Sequence, residues 1–236
     1  MTTHYQAHGK LILVGEHFVV HGTPAVALPL TAVSTRVRVT RTTGPLIVNS
    51  ELEAEPRALA ETVACGALRR FSMEPSGHTI DVDSDIPVGF GLGSSAAYCV
   101  ALAGALMKLR GDAEPLDRVE LNGHAHALEG LIHGEPSGID DTVATYGCAV
   151  RFVRGEAMQR LAPTAGLSFV LGGCGLPGST RDAVASVARF AEADRALFAE
   201  ILSDAHRLVE SGLAAFLAAD RSALGPVLNQ AHGLLA

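Results

Sequence analysis

Gly89, Gly91 and Gly93, followed at once by Ser94 and Ser95, have the spacing of a loop that gathers backbone N–H groups on an anion. Glycine reaches backbone conformations closed to other residues, so such a loop can aim several N–H groups at one point. A helix opening at the serines adds its own unpaired N–H groups and the positive end of its dipole. Phosphate is the anion that suits such a place. No Lys-Ser or Lys-Thr follows the last glycine, so this is not the common P-loop. The same residues would also serve as a tight turn in which Ser94 or Ser95 caps a helix.

Other stretches add groups that can act on a bound phosphate. Lys10 precedes the apolar run Leu11 to Val14, at a strand end where it could donate to a phosphate or lower the pKa of a hydroxyl. Solvation at the surface is the ordinary fate of such a lysine. Glu16 and His17 interrupt two apolar runs and form a polar pair beside the core, or a hydrogen-bonded turn. Glu129 falls near the C-terminal end of a helix, where its charge opposes the dipole and a cation nearby would offset it. Asp140 stands three residues after Ser137, which fits a capping box or a carboxylate held beside a target hydroxyl. A rival set, His126, Glu129 and His133, shares one helical face and could hold zinc. Gly178-Ser179-Thr180-Arg181 opens a later helix, as a cap or as an anion site.

The elements that must carry these groups follow from periodicity. Ala25 to Leu30 and the alternating Val33, Thr35, Val37 and Val39 read as strands, as do Leu46 to Val48 and the Ile80 and Val82 pair. Leu59, Val63, Ala67 and Phe71 recur every four residues in an amphipathic helix over 56–71. Helices are predicted over 94–109, 116–132 and 137–146, and strands over 149–153 and 167–171. From Thr180 onward the composition is helical, with breaks expected near Gly212 and Gly225-Pro226. Strands first and helices last make an α+β fold, with a boundary near residue 160.

Composition narrows the function. The 236 residues include 18 Lys and Arg against 25 Asp and Glu, a net charge of −7 that argues against nucleic acid as a partner. The longest apolar run, Ala96 to Met107, is too short to span a membrane. The polar N-terminus lacks a signal-peptide pattern, and Cys65, Cys99, Cys148 and Cys174 form no C-x-x-C pair, so a cytoplasmic protein with free thiols is expected.

Four stretches, in this order, resemble the GHMP kinase superfamily and within it the mevalonate kinases: GKLILVGEHFVVHG, PVGFGLGSSAAY, EGLIHGEPSGIDD and LPGSTRDAV. The resemblance implies a ribosomal-protein-S5-domain-2-like N-terminal domain over 1–160 and a partial, mostly helical ferredoxin-like C-terminal domain over 161–236. It implies that Gly89, Phe90, Gly91, Leu92, Gly93, Ser94 and Ser95 wrap the phosphates of ATP, and that Ser95 and Glu129 bind Mg²⁺. Asp140 becomes the catalytic base with Lys10 beside it. Glu16, His17 and Thr180 line the mevalonate pocket, with Tyr98 a further candidate. The implied reaction is transfer of a phosphoryl group from ATP to mevalonate, giving 5-phosphomevalonate for isoprenoid synthesis. A homodimer is an assembly that the resemblance leaves open.

The family's third glycine-rich segment, of the K-L-T-G-A-G type, is not found, and the last residues resemble the helix preceding it. The expectation is therefore a truncated chain. Another GHMP small-alcohol kinase, such as a phosphomevalonate kinase, and a nucleotide-binding pseudokinase are the alternatives.

Overall fold

The structure is a computed structural model that describes residues 1–173 and 180–235, and the side chains of all of these except 180–185. Its contacts divide the chain into two units: one built from Met1–Lys10, Pro29–Val88 and Leu92–Gly147, the other from Leu11–Leu28, Gly89–Gly91 and the chain from Cys148 onward. Two long strands, β1 (Thr2–Val14) and β2 (Ala25–Arg41), contribute residues to both.

In the first unit, β2 continues through the two predicted runs without a break. It is followed by β3 (Ile47–Ser50), α1 (Ala54–Arg70) and β4 (His78–Ser84). β4 pairs antiparallel with β2, setting Val37 opposite Val82 and Val39 opposite Ile80, while Arg36 faces Asp83 and Arg38 faces Asp81. Period-two alternation sends the first set inward, and Val37, Val39 and Ile80 are fully buried. β3 lies parallel to β4 on its other side.

Three helices complete this unit: α2 (Ser94–Arg110), α3 (Arg118–His133) and α4 (Ile139–Tyr146). α2 carries no charge before Lys108 and is buried almost all round, as expected of a helix at the centre of a core. Gly104 is the point of closest approach, since a Cβ there would fall 2.4 Å from the Tyr5 ring. α3 opens on Asp117, whose carboxylate accepts hydrogen bonds from the Val119 and Glu120 amides at 2.7 and 3.1 Å. Both α3 and α4 pack on α2.

In the second unit, the first residues of β2 pair antiparallel with β5 (Val150–Phe152), which in turn pairs with the short β6 (Gln159–Arg160). The apolar run after Glu16 and His17 forms a 3-10 turn, Phe18–His21. Three helices follow: α5 (Thr180–Ala193), α6 (Arg195–Leu217) and α7 (Arg221–Leu235).

Two expectations fail here. The apolar run 167–171 forms no strand; Val170 is fully exposed, and no described strand pairs with this run, so its hydrophobic pattern finds no ladder. The breaks near Gly212 and Gly225-Pro226 are absent too. α6 runs through Gly212, where the missing side chain lets Val14 and Val227 approach to 3.3 and 3.4 Å from a would-be Cβ. The actual stop is at Ala218 and Ala219, the latter with φ +54. α7 restarts on Asp220, which accepts from the Ser222 and Ala223 amides, and carries Pro226 inside it.

Candidate active site

β1 delivers Lys10 into the first unit at the point where the glycine loop enters α2. The Lys10 amide donates to the Leu92 carbonyl at 2.9 Å. Its side chain then runs across Gly93: a Cβ on that residue would lie 2.6 Å from Lys10 Cγ, and φ at Gly93 is +78. Glycine is required there twice, for the left-handed backbone and for the room. The lysine is 6% exposed, so it is not a solvated surface residue. Its ammonium ends 2.9 Å from Asp140 Oδ2, with about a third of the Asp140 side chain open to solvent.

The capping readings do not describe what the serines and Asp140 do. The N-cap of α2 is Gly93, which has no side chain to offer, and Ser94 and Ser95 are the first helical residues. The leading N–H groups of a 17-residue helix are thus left for an external acceptor. α4 is capped likewise by Gly138, at φ +91, which leaves the Asp140 carboxylate for Lys10.

Glu129, on α3, is 2% exposed, and its buried Oε1 has no hydrogen-bond partner among the described residues. Burial, reinforced by the charge of Asp140 and less by that of Asp141, pushes its carboxyl up to about 8, while hydrogen bonding to Ser95 and Cys99 pulls the other way. His133, one turn later, brings Nε2 to 3.2 Å from Ser95 Oγ and 3.6 Å from Glu129 Oε2. The zinc set does not assemble. His126 Nδ1 lies 3.3 Å from Asp141 Oδ2, and among the described residues no group of three His, Cys, Asp or Glu side chains could hold a metal ion.

Beside the serines lies a cavity of about 520 Å³, of a size suited to a small ligand. Leu52, Pro56, Leu59, Val88 and Ile132 give it apolar walls, and Ser94, Ser95 and Tyr98 line it from α2. Tyr98 donates its hydroxyl to the Ala60 carbonyl at 2.9 Å, and burial holds that phenol above its ordinary range. Periodicity assigned Leu59 to the core face of α1; it is 40% exposed and lines this cavity instead.

The remaining expected site residues belong to the second unit. Gly89 and Gly91 take φ of +83 and +72, with Phe90 exposed between them. Glu16 and His17 form the turn before the 3-10 segment, and His17 holds φ +62, uncommon for a residue with a side chain. Thr180 opens α5, with its side chain outside the described residues, where Cys174, Gly178 and Ser179 also fall.

Comparison with known proteins gives this arrangement a class. Residues 58–148, which hold α2, α3, α4 and the Ser95, Glu129 and Asp140 side chains, match the GHMP kinases N terminal domain. The mevalonate kinase of Aeropyrum pernix is 36% identical over 205 residues, covering 79% of this chain and 62% of the relative. That of Thermococcus sibiricus is 35% identical over 227 residues, covering 86% and 67%. The crystal structure of L. major mevalonate kinase in complex with R-mevalonate matches 99% of this chain and 75% of its own, with a TM-score of 0.81 and 26% identity. The chain belongs to the mevalonate kinase family of the GHMP kinases, and it spans about two thirds of the length of the curated relatives it matches.

Proposed function

We propose that this chain transfers the γ-phosphoryl group of Mg·ATP to the primary hydroxyl of mevalonate, giving ADP and 5-phosphomevalonate. The observation that carries the reading is the Lys10–Asp140 pair, set against Leu92 and Gly93 at the uncapped start of α2. Phosphoryl transfer asks little covalent chemistry of a protein; it asks for positioning and for neutralised charge. Asp140 accepts the hydroxyl proton as the oxygen bonds to phosphorus and the bond to the ADP oxygen breaks. Lys10 offsets negative charge on the attacking oxygen and on the transferring group. The leading N–H groups at Ser94 and Ser95 receive phosphate oxygens, and the cavity beside them takes the nucleoside. Gly89, Phe90, Gly91, Leu92 and Gly93 complete the phosphate loop, and Glu16, His17 and Thr180 contact mevalonate.

Mg²⁺ fits the residues present. Ser95 Oγ and the Glu129 carboxylate are hard oxygen donors, and Glu129 Oε1 is a buried acceptor with no hydrogen-bond partner among the described residues. When bound, the ion would screen phosphate charge. Residues 1–160 are read as the N-terminal kinase domain and 161–236 as belonging to the second. A cytoplasmic location and a homodimer are the parts of the reading that fractionation and sizing would check. Among the described residues no helix is long and apolar enough to cross a membrane.

The deciding test is ADP release coupled to mevalonate, with phosphomevalonate and other small alcohols as comparison substrates. Turnover confined to mevalonate supports the reading. Turnover only with another alcohol, or ATP binding without ADP release, overturns it.

A further inference from the structure

The reaction as written leaves His133 without a task, yet its imidazole joins the two residues assigned to the metal. Ser95 stands on α2 and Glu129 on α3, and His133 Nε2 reaches Ser95 Oγ at 3.2 Å and Glu129 Oε2 at 3.6 Å. The four-residue spacing from Glu129 puts both side chains on one face of α3. The glutamate is buried, whereas about a third of the histidine side chain is open to solvent. Gly134, with φ +78, closes α3 directly after it and fixes where the imidazole leaves the helix.

A serine oxygen that ligates a cation through a lone pair keeps its proton, and that proton needs an acceptor. Were the acceptor a phosphate or the glutamate, the hydroxyl would compete for an oxygen that the cation also uses. A neutral imidazole bearing its proton on Nδ1 presents Nε2 as an acceptor that no hard cation prefers, which leaves the Ser95 lone pairs and Glu129 Oε1 for the metal. We propose that His133 is a positioning residue for metal-bound nucleotide, accepting the Ser95 hydroxyl proton in a hydrogen bond and so holding that oxygen in its ligating orientation. This rests on the reading of Ser95 and Glu129 as the metal ligands.

The test uses Mn²⁺ as the probe, with its binding to the protein–ATP complex followed by electron paramagnetic resonance and ATP binding in chelator measured separately. Replacing His133→Ala weakens Mn²⁺·ATP binding by ~10- to 100-fold, the usual effect of removing a partner of a metal ligand. Metal-free ATP binding stays at the wild-type level, which a general loss of structure would not allow. His133→Gln, whose amide oxygen can also accept from Ser95, restores most of the metal-dependent affinity. The inference is overturned if the alanine variant binds Mn²⁺·ATP like wild type, or if metal-free ATP binding falls by the same factor. If wild type itself shows no metal-dependent binding, the ligand assignment fails first and takes the inference with it.

Discussion

The Lys10 ammonium lies 2.9 Å from Asp140 Oδ2, and the two side chains arrive from opposite ends of the sequence of their unit, one from within β1, not from a strand end as its sequence position suggests, and one from the first turn of α4. Lysine is buried and aspartate partly open, so the pair has a protected side and an accessible side. An incoming hydroxyl would therefore meet the carboxylate from solvent while the cation stays behind it. The proposed role of Asp140 as base uses this arrangement, since its carboxylate is open to solvent and its counter-charge is not.

Asp140→Asn should lower kcat by ~10²- to 10⁴-fold, the range for loss of a general base, with the dissociation constant for ATP little changed. Lys10→Met should lower kcat as well. Because the two groups act as a unit, the double variant should lose far less than the product of the single losses. Steady-state kinetics of the four proteins, with ATP binding measured directly, checks this. Additive losses would show that the two residues act separately.

Gly93→Ala combines two faults: φ of +78 and a Cβ placed 2.6 Å from Lys10 Cγ. The backbone part costs ~1–2 kcal/mol, and the steric part displaces the lysine from Asp140. Gly111→Ala is the control, since its φ is +105 but nothing lies within 4 Å of the added carbon. Thermal unfolding should report a comparable backbone cost for both. Turnover per folded molecule should fall only for Gly93→Ala.

Spatial grouping was more legible in the sequence than packing was. Lys10, Ser95, Glu129 and Asp140 drew notice for a place beside an apolar strand run, a glycine loop, a charge set against a helix dipole and a spacing from Ser137, and all four fall in one unit. Periodicity reports which face of an element is apolar, not what covers that face. For this reason 167–171 reads as a strand although no described strand receives it, and Leu59 reads as core although it lines a cavity. Gly212 and Pro226 read as breaks because local propensity cannot see the tertiary contacts of α6 and α7, such as the approach of Val14 and Val227 to Gly212. His133 was legible only as one of three zinc candidates, since its partner Ser95 is 38 residues away in the chain.

The cavity beside Ser94 and Ser95 yields a kinetic signature. Leu59 is a partly exposed wall residue, so Leu59→Trp fills space there with little disturbance to the core of α1. It should raise the KM for ATP by ~10-fold, about 1.4 kcal/mol of binding, while the KM for mevalonate and the unfolding temperature hold. A matching rise in both KM values would remove the nucleoside from this cavity.

Asp141 tests the electrostatics of the same helix through stability. It is 2% exposed, its Oδ1 has no hydrogen-bond partner among the described residues, and Oδ2 lies 3.3 Å from both Asn122 Nδ2 and His126 Nδ1. Burial raises its pKa and the charge of Asp140 adds to that, with His126 opposing. A carboxyl whose folded pKa lies above its unfolded value makes its full contribution to stability below the unfolded pKa, where both states hold the proton. That contribution is lost as pH rises through the folded pKa, because the native state must then bury a charge. Wild type thus carries a penalty at neutral pH that Asp141→Asn, uncharged at every pH, does not. The variant should be the more stable at pH 7, with the difference shrinking toward pH 4. Urea midpoints at a series of pH values measure this, and a difference independent of pH would show that Asp141 does not titrate within the native fold.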